Sequence, residues 1–279
     1  MSARANQKVC FVGGAGHSGS TLLGIALGSH PSVFYAGEAR KSLFLGDERK
    51  PLRKRVCKVC GPECPVWGHL DRREGEDLYE ALSRRTGRPI VVDSTKLPAW
   101  IEEQTTIVVS RGVAVHLIYL ARDGRAVLAS QLRKYPDVSA HEHAQRWVKR
   151  IAETDALVAR FPGGVSQVRY EDFATRPEEI LRTLAGALGL EWDPQIMDPW
   201  HTEQHPLGGN AGTQSLIEGA RTQVGGELGI AGEKRAYYEN HPRGFVLDQR
   251  WRRELDPQSL ATFDAVAGEV NARFAWDLP

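Results

Sequence analysis

A glycine-rich turn between a short apolar segment and a helix-like segment constrains the fold more than any other feature of the sequence. The apolar segment is Lys8–Gly13 (KVCFVG), and the helix-like segment covers residues 20–29 and stops at His30-Pro31. Between them, residues 13–19 form what we call the glycine turn. Backbone N–H groups in such a turn, together with the N-terminus of the following helix, bind phosphate or sulfate oxygens. The sequence therefore predicts a buried strand, an anion-binding turn and a helix, in this order.

The glycine turn matches the phosphate loop of nucleoside triphosphatases at every motif position except one. Residues 14–21 (GAGHSGST) have the spacing G-x-x-x-x-G-K-[ST], with Ser20 at the lysine position. That lysine contacts the β- and γ-phosphates of a nucleoside triphosphate, so its absence argues against hydrolysis of ATP or GTP. The alternative interpretation is a tight turn that only packs a helix against a strand.

Further apolar segments alternate with helix-like segments along the chain. Strands are expected at 89–92, 115–120 and 165–170, and helices at 124–134, 139–161 and 177–188. This alternation predicts a three-layer α/β fold, with a central, mostly parallel sheet, a P-loop-like turn and helices on both faces. Ligands of such sheets bind beyond the carboxyl ends of the strands.

Composition and charge limit the classes of partner. The chain has 279 residues, and its 36 Lys and Arg nearly balance 35 Asp and Glu, so the formal net charge is +1. No overall positive field is therefore available to hold a nucleic acid. No apolar stretch approaches the roughly 20 residues of a membrane span, and residues 1–8 lack the apolar core of a signal peptide. We expect a single cytoplasmic domain over 1–279 that neither spans a membrane nor binds nucleic acid.

Two regions interrupt the alternation and are expected to surround a site. Residues 40–76 form a basic insertion with Cys57, Cys60 and Cys64, and residues 200–245 form a glycine-rich cap or lid loop. The three cysteines with His69 can in principle bind zinc, although four ligands within so short a segment fit a tetrahedron tightly. We interpret the cluster as a structural part of the insertion and predict no metal.

Three segments resemble, in order and spacing, the motifs of sulfotransferases that use 3′-phosphoadenosine 5′-phosphosulfate (PAPS). Residues 16–23 (GHSGSTLL) are similar to the family's 5′-phosphosulfate loop, and residues 122–130 (RDGRAVLAS) to its 3′-phosphate motif. Residues 168–172 (VRYED) resemble the strand end whose tyrosine lies near the adenine. The resemblance covers roughly residues 8–190. It implies PAPS as co-substrate, adenosine 3′,5′-bisphosphate (PAP) as product, and no metal requirement.

The resemblance also implies which residues hold the nucleotide. Arg122 follows an expected strand and Ser130 lies about two turns into the next helix, so a guanidinium and a hydroxyl can clamp one phosphate. His17 stands where many members carry lysine or arginine, and a histidine is cationic only if its pKa is raised. The nucleotide-binding residues implied by the resemblance are Gly16, His17, Ser18, Gly19, Ser20, Thr21, Arg122, Ser130 and Tyr170.

Three residues are predicted to be catalytic: Glu38, His17 and Lys96. Gly37-Glu38 follows His30-Pro31 as in tyrosine-protein sulfotransferases, a similarity that implies Glu38 as the general base. Lys96 follows the strand expected at 89–92 and would neutralise oxygens of the transferring sulfuryl group. The resemblance implies that His17 contacts the bridging region of the phosphosulfate.

Each catalytic assignment has a plainer alternative. Glu38 can be an exposed glutamate paired with Arg40 or Lys41, and Lys96 a solvated surface lysine. His201 and His205, at the edge of the glycine-rich region, are the other candidates for the base.

The sequence thus predicts a PAPS-dependent sulfotransferase that moves a sulfuryl group in line to a hydroxyl or amine. The acceptor would be a small molecule, a carbohydrate or a lipid. The competing interpretations are a nucleotide phosphotransferase on a related P-loop fold and a nucleotide-binding protein without catalysis.

Overall fold

A five-stranded parallel sheet forms the centre of the protein. The computed structural model describes residues 3–68, 70, 77–220, 228, 237–238 and 241–277. The strand order is β2-β3-β1-β4-β5. The strands are β1 (Lys8–Gly13), β2 (Val33–Gly37), β3 (Ile90–Asp93), β4 (Ala114–Ala121) and β5 (Gly164–Arg169). The predicted α/β fold with a central parallel sheet is confirmed.

Helices connect the strands and cover both faces of the sheet. In the described ranges they are α1 (Ser20–Gly28), α2 (Leu52–Arg55), α3 (Leu78–Thr86), α4 (Pro98–Ser110), α5 (Gly124–Lys134), α6 (Ala140–Arg160), α7 (Tyr170–Thr175), α8 (Pro177–Leu188), α9 (Ala211–Gln214), α10 (Trp251–Glu254) and α11 (Pro257–Asn271). The helices expected at 124–134, 139–161 and 177–188 are α5, α6 and α8. No helix of the described residues combines the length and apolarity needed to cross a bilayer.

The inner strands are short apolar runs because both of their faces are covered. Residues 9–13 of β1 are buried without interruption, as are all residues of β3. On one face the ring of Phe11 packs edge-on against Tyr79 of α3, with ring centroids 5.9 Å apart. Strands buried on both sides lose the alternation of polar and apolar residues, which explains why they read as continuous apolar segments.

Strand β2 is absent from the sequence prediction, which assigned four strands. All five of its residues are buried, and Val33 pairs with Ile90 of β3. The segment VFYAG is a short apolar run between Pro31 and Glu38, which is the pattern of a buried strand, and the sequence analysis did not use this signal. The consequence is functional, because Glu38 directly follows a strand of the sheet.

Strands β1 and β4 are neighbours whose connections leave in opposite directions. Helix α1 leads from β1 towards β2 at one edge, whereas α5 and α6 lead from β4 towards β5 at the other. Such a reversal opens a crevice at the carboxyl ends of the two strands, where open α/β sheets bind their ligands. The glycine turn follows β1 and Arg122 follows β4, so both flank this crevice.

The C-terminal helix α11 supports the crevice from behind. It packs on α5 and α6, where the rings of Trp147 and Phe263 lie 5.6 Å apart. At its end, the Asn271 side chain accepts a hydrogen bond from the N–H of Gly124, at 2.7 Å. This contact fixes the start of α5 two residues after Arg122.

Candidate active site

Every strand of the sheet is followed by a residue that the sequence analysis assigned to the site. The glycine turn follows β1, Glu38 follows β2, and Lys96 lies three residues beyond β3. Arg122 follows β4 directly, and Tyr170 follows β5. Because the strands are parallel, all five positions lie at the carboxyl ends of the strands, on the same side of the molecule.

The glycine turn provides an anion-binding geometry. Gly19 is the N-cap of α1, has φ 86°, and no side chain caps the helix. The buried hydroxyl of Ser18 has no hydrogen-bond partner among the described residues. Ser20 and Thr21 follow as the first, buried residues of α1. An uncapped helix N-terminus beside an unpaired buried hydroxyl suits a phosphate or sulfate group.

Tyr170 packs directly on the glycine turn. A Cβ added to Gly19 would lie 2.6 Å from the Tyr170 ring, whereas a Cβ added to Gly16 would meet no atom within 4 Å. The guanidinium of Arg122 stacks over the same ring, 4.2 Å from its centroid. The hydroxyl of Tyr170 donates to the carbonyl oxygen of Val246 at 2.8 Å.

Arg122 joins the glycine turn to the segment 246–250. Its Nη1 donates to the carbonyl oxygen of His17 at 2.9 Å, and its Nη2 donates to that of Asp248 at 3.0 Å. The carboxylate of Asp248 also pairs with this guanidinium at 3.4 Å. The Nε of Arg122 is buried and has no hydrogen-bond partner among the described residues.

His17 and Ser130 face each other across the crevice. Nδ1 of His17 lies 2.9 Å from Oγ of Ser130. Burial, with further contributions from the positive charges of Lys134, Arg122 and Lys96, lowers the pKa of His17 to about 4. The imidazole is therefore neutral near pH 7 in the free protein.

Glu38 and Lys96 form a partly buried ion pair. Lys96 Nζ lies 3.4 Å from Glu38 Oε1, and Lys41 Nζ lies 2.7 Å from Oε2. Burial alone would raise the pKa of Glu38, but the two lysines lower it to about 2. Burial also lowers the pKa of Lys96, whose side chain is only 14% exposed. Lys96 is thus not a solvated surface lysine, and Glu38 pairs with both Lys41 and Lys96.

The two non-glycine residues with positive φ in the described ranges are both predicted catalytic residues. His17 has φ 67° and Lys96 has φ 63°. Such a conformation costs about 1–3 kcal/mol for a residue with a Cβ and concentrates at functional sites. The side chains are therefore held in position at the expense of local stability.

Asp93 orders the loops that carry Glu38 and Lys96, and the sequence analysis gave it no role. Its buried carboxylate accepts hydrogen bonds from the N–H groups of Ala39 at 3.1 Å and Thr95 at 2.9 Å. Tyr79 and Trp100 donate to the second oxygen, each at 2.8 Å. A signal was present, since an aspartate that ends an apolar strand must find several donors if it is buried.

The two histidines considered as alternative bases are engaged elsewhere. His201 is exposed and its Nδ1 lies 2.6 Å from Glu218. The Nδ1 of His205 lies 3.3 Å from Sγ of Cys60. Burial would lower the pKa of His205, but the sulfur atoms of Cys60 and Cys64 raise it to about 10. His69 lies outside the described residues.

Comparisons with known proteins point to one family. Residues 10–194 match the model of the sulfotransferase family. Protein-tyrosine sulfotransferase 1 of Danio rerio is 25% identical over 232 residues, which cover 77% of this chain and 61% of that protein. An uncharacterised protein of Aquifex aeolicus is 24% identical over 220 residues, which cover 71% of this chain and 28% of that protein. The chain thus spans less than two thirds of the length of either relative.

Solved structures with the same fold include two sulfotransferase domains. The domain from the curacin biosynthetic pathway superposes with a TM-score of 0.60 at 19% identity and covers 99% of this chain and 100% of its own. The domain from the Synechococcus PCC 7002 olefin synthase superposes with a TM-score of 0.58 at 18% identity. The match covers 100% of this chain and 98% of that domain. Because the family model spans more than half of the chain, from β1 through Tyr170 and beyond, this protein belongs to the sulfotransferase family.

Proposed function

We propose that this protein transfers the sulfuryl group of PAPS to a hydroxyl or amine of an acceptor. The observation that carries the proposal is the arrangement of the site: a predicted site residue follows the carboxyl end of each of the five parallel strands. Family membership supplies the reaction class. The donor and the residue roles are inferred from the chemistry of the site.

Several features of the free protein fit an anionic nucleotide. Ser18 Oγ and Arg122 Nε are buried donors without partners in the described part of the chain, and Gly16 leaves open space beside the turn. In our assignment, residues 16–21 hold the 5′-phosphosulfate, and Arg122 with Ser130 holds the 3′-phosphate. Tyr170 lies nearer the adenine.

The reaction needs one proton acceptor and several positive or hydrogen-bonding groups. The donor supplies an activated sulfuryl group, whose bond to the bridging phosphate oxygen breaks, leaving the electron pair on PAP, as the acceptor oxygen bonds to sulfur. Glu38 takes the proton of the acceptor hydroxyl. Lys96, which already lies against Glu38, stabilises the negative charge on the sulfuryl oxygens.

The pKa of Glu38 is low in the protein without bound substrate. A carboxylate with a pKa of about 2 is a weak general base. The lysines that lower this pKa are the groups that a bound phosphosulfate would attract, and nearby negative charge raises the pKa of a carboxyl group. We infer that donor binding strengthens Glu38 as a base by drawing the charge of Lys96 away from it.

His17 acts in this scheme as a neutral hydrogen-bond donor or, when protonated, as a cation. When Ser130 gives its one hydroxyl proton to the 3′-phosphate, Nδ1 of His17 donates to Ser130 Oγ. Nε2 then carries a proton for the bridging oxygen when the ring is protonated, a state that the bound anion favours.

The proposed acceptors are small molecules, carbohydrates and lipids with a free hydroxyl or amine. A relative that covers most of this chain is a protein-tyrosine sulfotransferase, so tyrosine-containing peptides belong in the same test. Transfer to such a peptide and to none of the other classes would revise the proposed acceptor and leave the donor unchanged.

Calorimetric titration tests the donor before any acceptor is known. We expect PAP to bind in a buffer without Mg²⁺ and ATP to bind much more weakly, with or without Mg²⁺. Tight Mg²⁺-dependent binding of ATP, together with no binding of PAP, would instead support the phosphotransferase interpretation. Transfer from radiolabelled PAPS to an acceptor panel then separates an enzyme from a nucleotide-binding protein.

A further inference from the structure

Three cysteines and one histidine from distant parts of the chain meet beside β2. Cys57, Cys60 and Cys64 belong to the insertion 40–76, whereas His205 belongs to the region 200–245. The three sulfur atoms and one ring nitrogen all lie within 4.8 Å of one another. Cys57 and Cys64 are fully buried, and the side chain of His205 is only 12% exposed.

The dimensions of this cluster fit a tetrahedral metal ion. Bonds of about 2.3 Å to sulfur and about 2.0 Å to nitrogen place a sulfur and a nitrogen ligand about 3.5 Å apart in a tetrahedron. The distance between Cys60 Sγ and His205 Nδ1 is 3.3 Å. Four protein ligands fill a tetrahedron and leave no open position, which is the arrangement of structural zinc sites.

The surroundings of His205 orient it as a metal ligand. Its Nε2 lies 3.2 Å from the carboxylate of Glu203, while Nδ1 faces the sulfur atoms. Metal-binding histidines usually donate their second ring N–H to a carboxylate or carbonyl, which fixes the tautomer and the ring plane. On the backbone side, Trp67 Nε1 donates to the carbonyl oxygen of His205 at 2.6 Å.

We propose that Cys57, Cys60, Cys64 and His205 bind a structural zinc ion. The proposal replaces the expectation of no metal at this cluster. Its fourth ligand is His205, which the sequence analysis considered only as a base. Three thiolates and an imidazole favour zinc over magnesium or calcium, which prefer oxygen ligands.

The ion would hold the backbone next to the proposed base. The backbone of Cys57 pairs with that of Leu207 in an isolated antiparallel β-bridge, and Leu207 lies two residues after the ligand His205. The carbonyl oxygen of Leu207 accepts the N–H of Glu38 at 2.6 Å, and its N–H donates to Ala36 at 2.9 Å. Zinc would therefore fasten two insertions to the end of β2 and position Glu38 without touching substrate.

The site has a route from solvent. A cleft of about 400 Å³ is lined by residues that include Cys60 and His205. A metal ion can reach the ligands through this cleft after the sheet has folded.

Metal analysis of the purified 279-residue chain is the direct test. Mass spectrometric elemental analysis, after purification with a reductant and without chelators, should find one zinc ion per chain. Cys64→Ser and His205→Ala should lose it, whereas Cys10→Ala, in β1 and outside the cluster, should keep it. Glu203→Gln should keep the site and bind zinc about 10-fold more weakly, as expected for loss of an orienting carboxylate.

Cobalt substitution keeps the proposal testable if the cysteine variants do not fold. Wild-type protein loaded with Co²⁺ should show the visible absorption of a tetrahedral site and a thiolate charge-transfer band. A folded wild-type protein with neither zinc nor a cobalt spectrum would overturn the proposal, as would bound iron or a disulfide within the cluster. These measurements require no nucleotide, so their failure is separate from failure of the proposed function.

Discussion

The ring of His17 faces the hydroxyl of Ser130, with 2.9 Å between Nδ1 and Oγ. The two residues come from separate nucleotide motifs, and the pairing of β1 with β4 brings them together. Arg122 contributes to the same arrangement by holding the carbonyl oxygen of His17. The proposed contacts to the 5′-phosphosulfate and to the 3′-phosphate are therefore one connected group, and changes in one motif affect the other.

Arg122→Ala should weaken PAP binding more than Ser130→Ala. A hydrogen bond to a charged group contributes about 1.5–3 kcal/mol and a neutral one about 1 kcal/mol. Arg122→Lys tests the geometry, because it keeps the charge beside Asp248 and removes the planar fork. Calorimetric titration with PAP measures all three variants.

Arg182→Ala is the matched control for the arginine substitutions. Arg182 lies on α8 and pairs with the exposed Glu178, so PAP affinity should not change. Equal losses for Arg122→Ala and Ser130→Ala would contradict the assigned 3′-phosphate clamp.

Glu38→Gln should lower kcat by at least about 100-fold, because a positioned general base contributes about 10²–10⁴-fold. The substitution keeps the size of the side chain and removes its basicity. PAP affinity should stay nearly the same, since Glu38 faces the acceptor in our scheme. Steady-state transfer assays and PAP titration measure the two quantities.

The exposed Glu178 provides the control, and Glu178→Gln should leave both values unchanged. Near-full turnover of Glu38→Gln, with chemistry shown to be rate-limiting, would exclude Glu38 as the base.

Lowering the pH should increase the PAP affinity of the wild-type protein more than that of the His17→Asn variant. The pKa of His17 is about 4 in the free protein because the ring is buried among positive charges. A bound anion favours the imidazolium and raises this pKa, so binding takes up a proton and the affinity rises as the pH falls through the pKa of the complex. Asparagine suits the comparison because it tolerates positive φ and can still bond to Ser130.

The ratio of the two affinities is the quantity to measure, from about pH 8 to about pH 5. This range covers the ordinary pKa of histidine and stays above the lowered pKa of His17 in the free protein. Titration of the PAP phosphates affects both proteins and cancels in the ratio. A ratio independent of pH would show that His17 stays neutral in the complex.

The strand ends were predictable because buried parallel strands are short apolar runs that stop at polar residues. Thus β1, with the glycine turn, and β4, with Arg122, were located from the sequence alone. Glu38 was located by motif similarity although its strand, β2, was missed. Its five-residue apolar run carries the same signal as β3, which is also short and also follows a proline, so this strand was predictable and was overlooked.

Contacts between distant segments were not predictable. Arg122 binds the backbone of Asp248, 126 positions away, and Cys60 meets His205, 145 positions away. Nothing local to Asp248 or His205 indicates these partners, because the contacts depend on how the region after α8 folds back over the sheet edge. Sequence spacing therefore directed attention to His69, which is close to the cysteines in sequence.

Alanine at Gly16 and Gly19 should separate nucleotide binding from stability. Gly19 has φ 86° and a Cβ there would lie 2.6 Å from the Tyr170 ring. Backbone strain alone costs about 1–3 kcal/mol, so Gly19→Ala should destabilise the fold by more than this amount.

A Cβ at Gly16 meets no atom within 4 Å, so Gly16→Ala should unfold at the wild-type temperature. Its methyl group nevertheless enters the space assigned to the 5′-phosphate and should weaken PAP binding about 10-fold, a cost of about 1.4 kcal/mol. Gly186→Ala in α8 also adds a methyl group in open space, away from the site, and should leave PAP affinity unchanged. Thermal unfolding and PAP titration of the three variants decide the matter: wild-type affinity in Gly16→Ala would mean that the 5′-phosphate does not occupy the glycine turn.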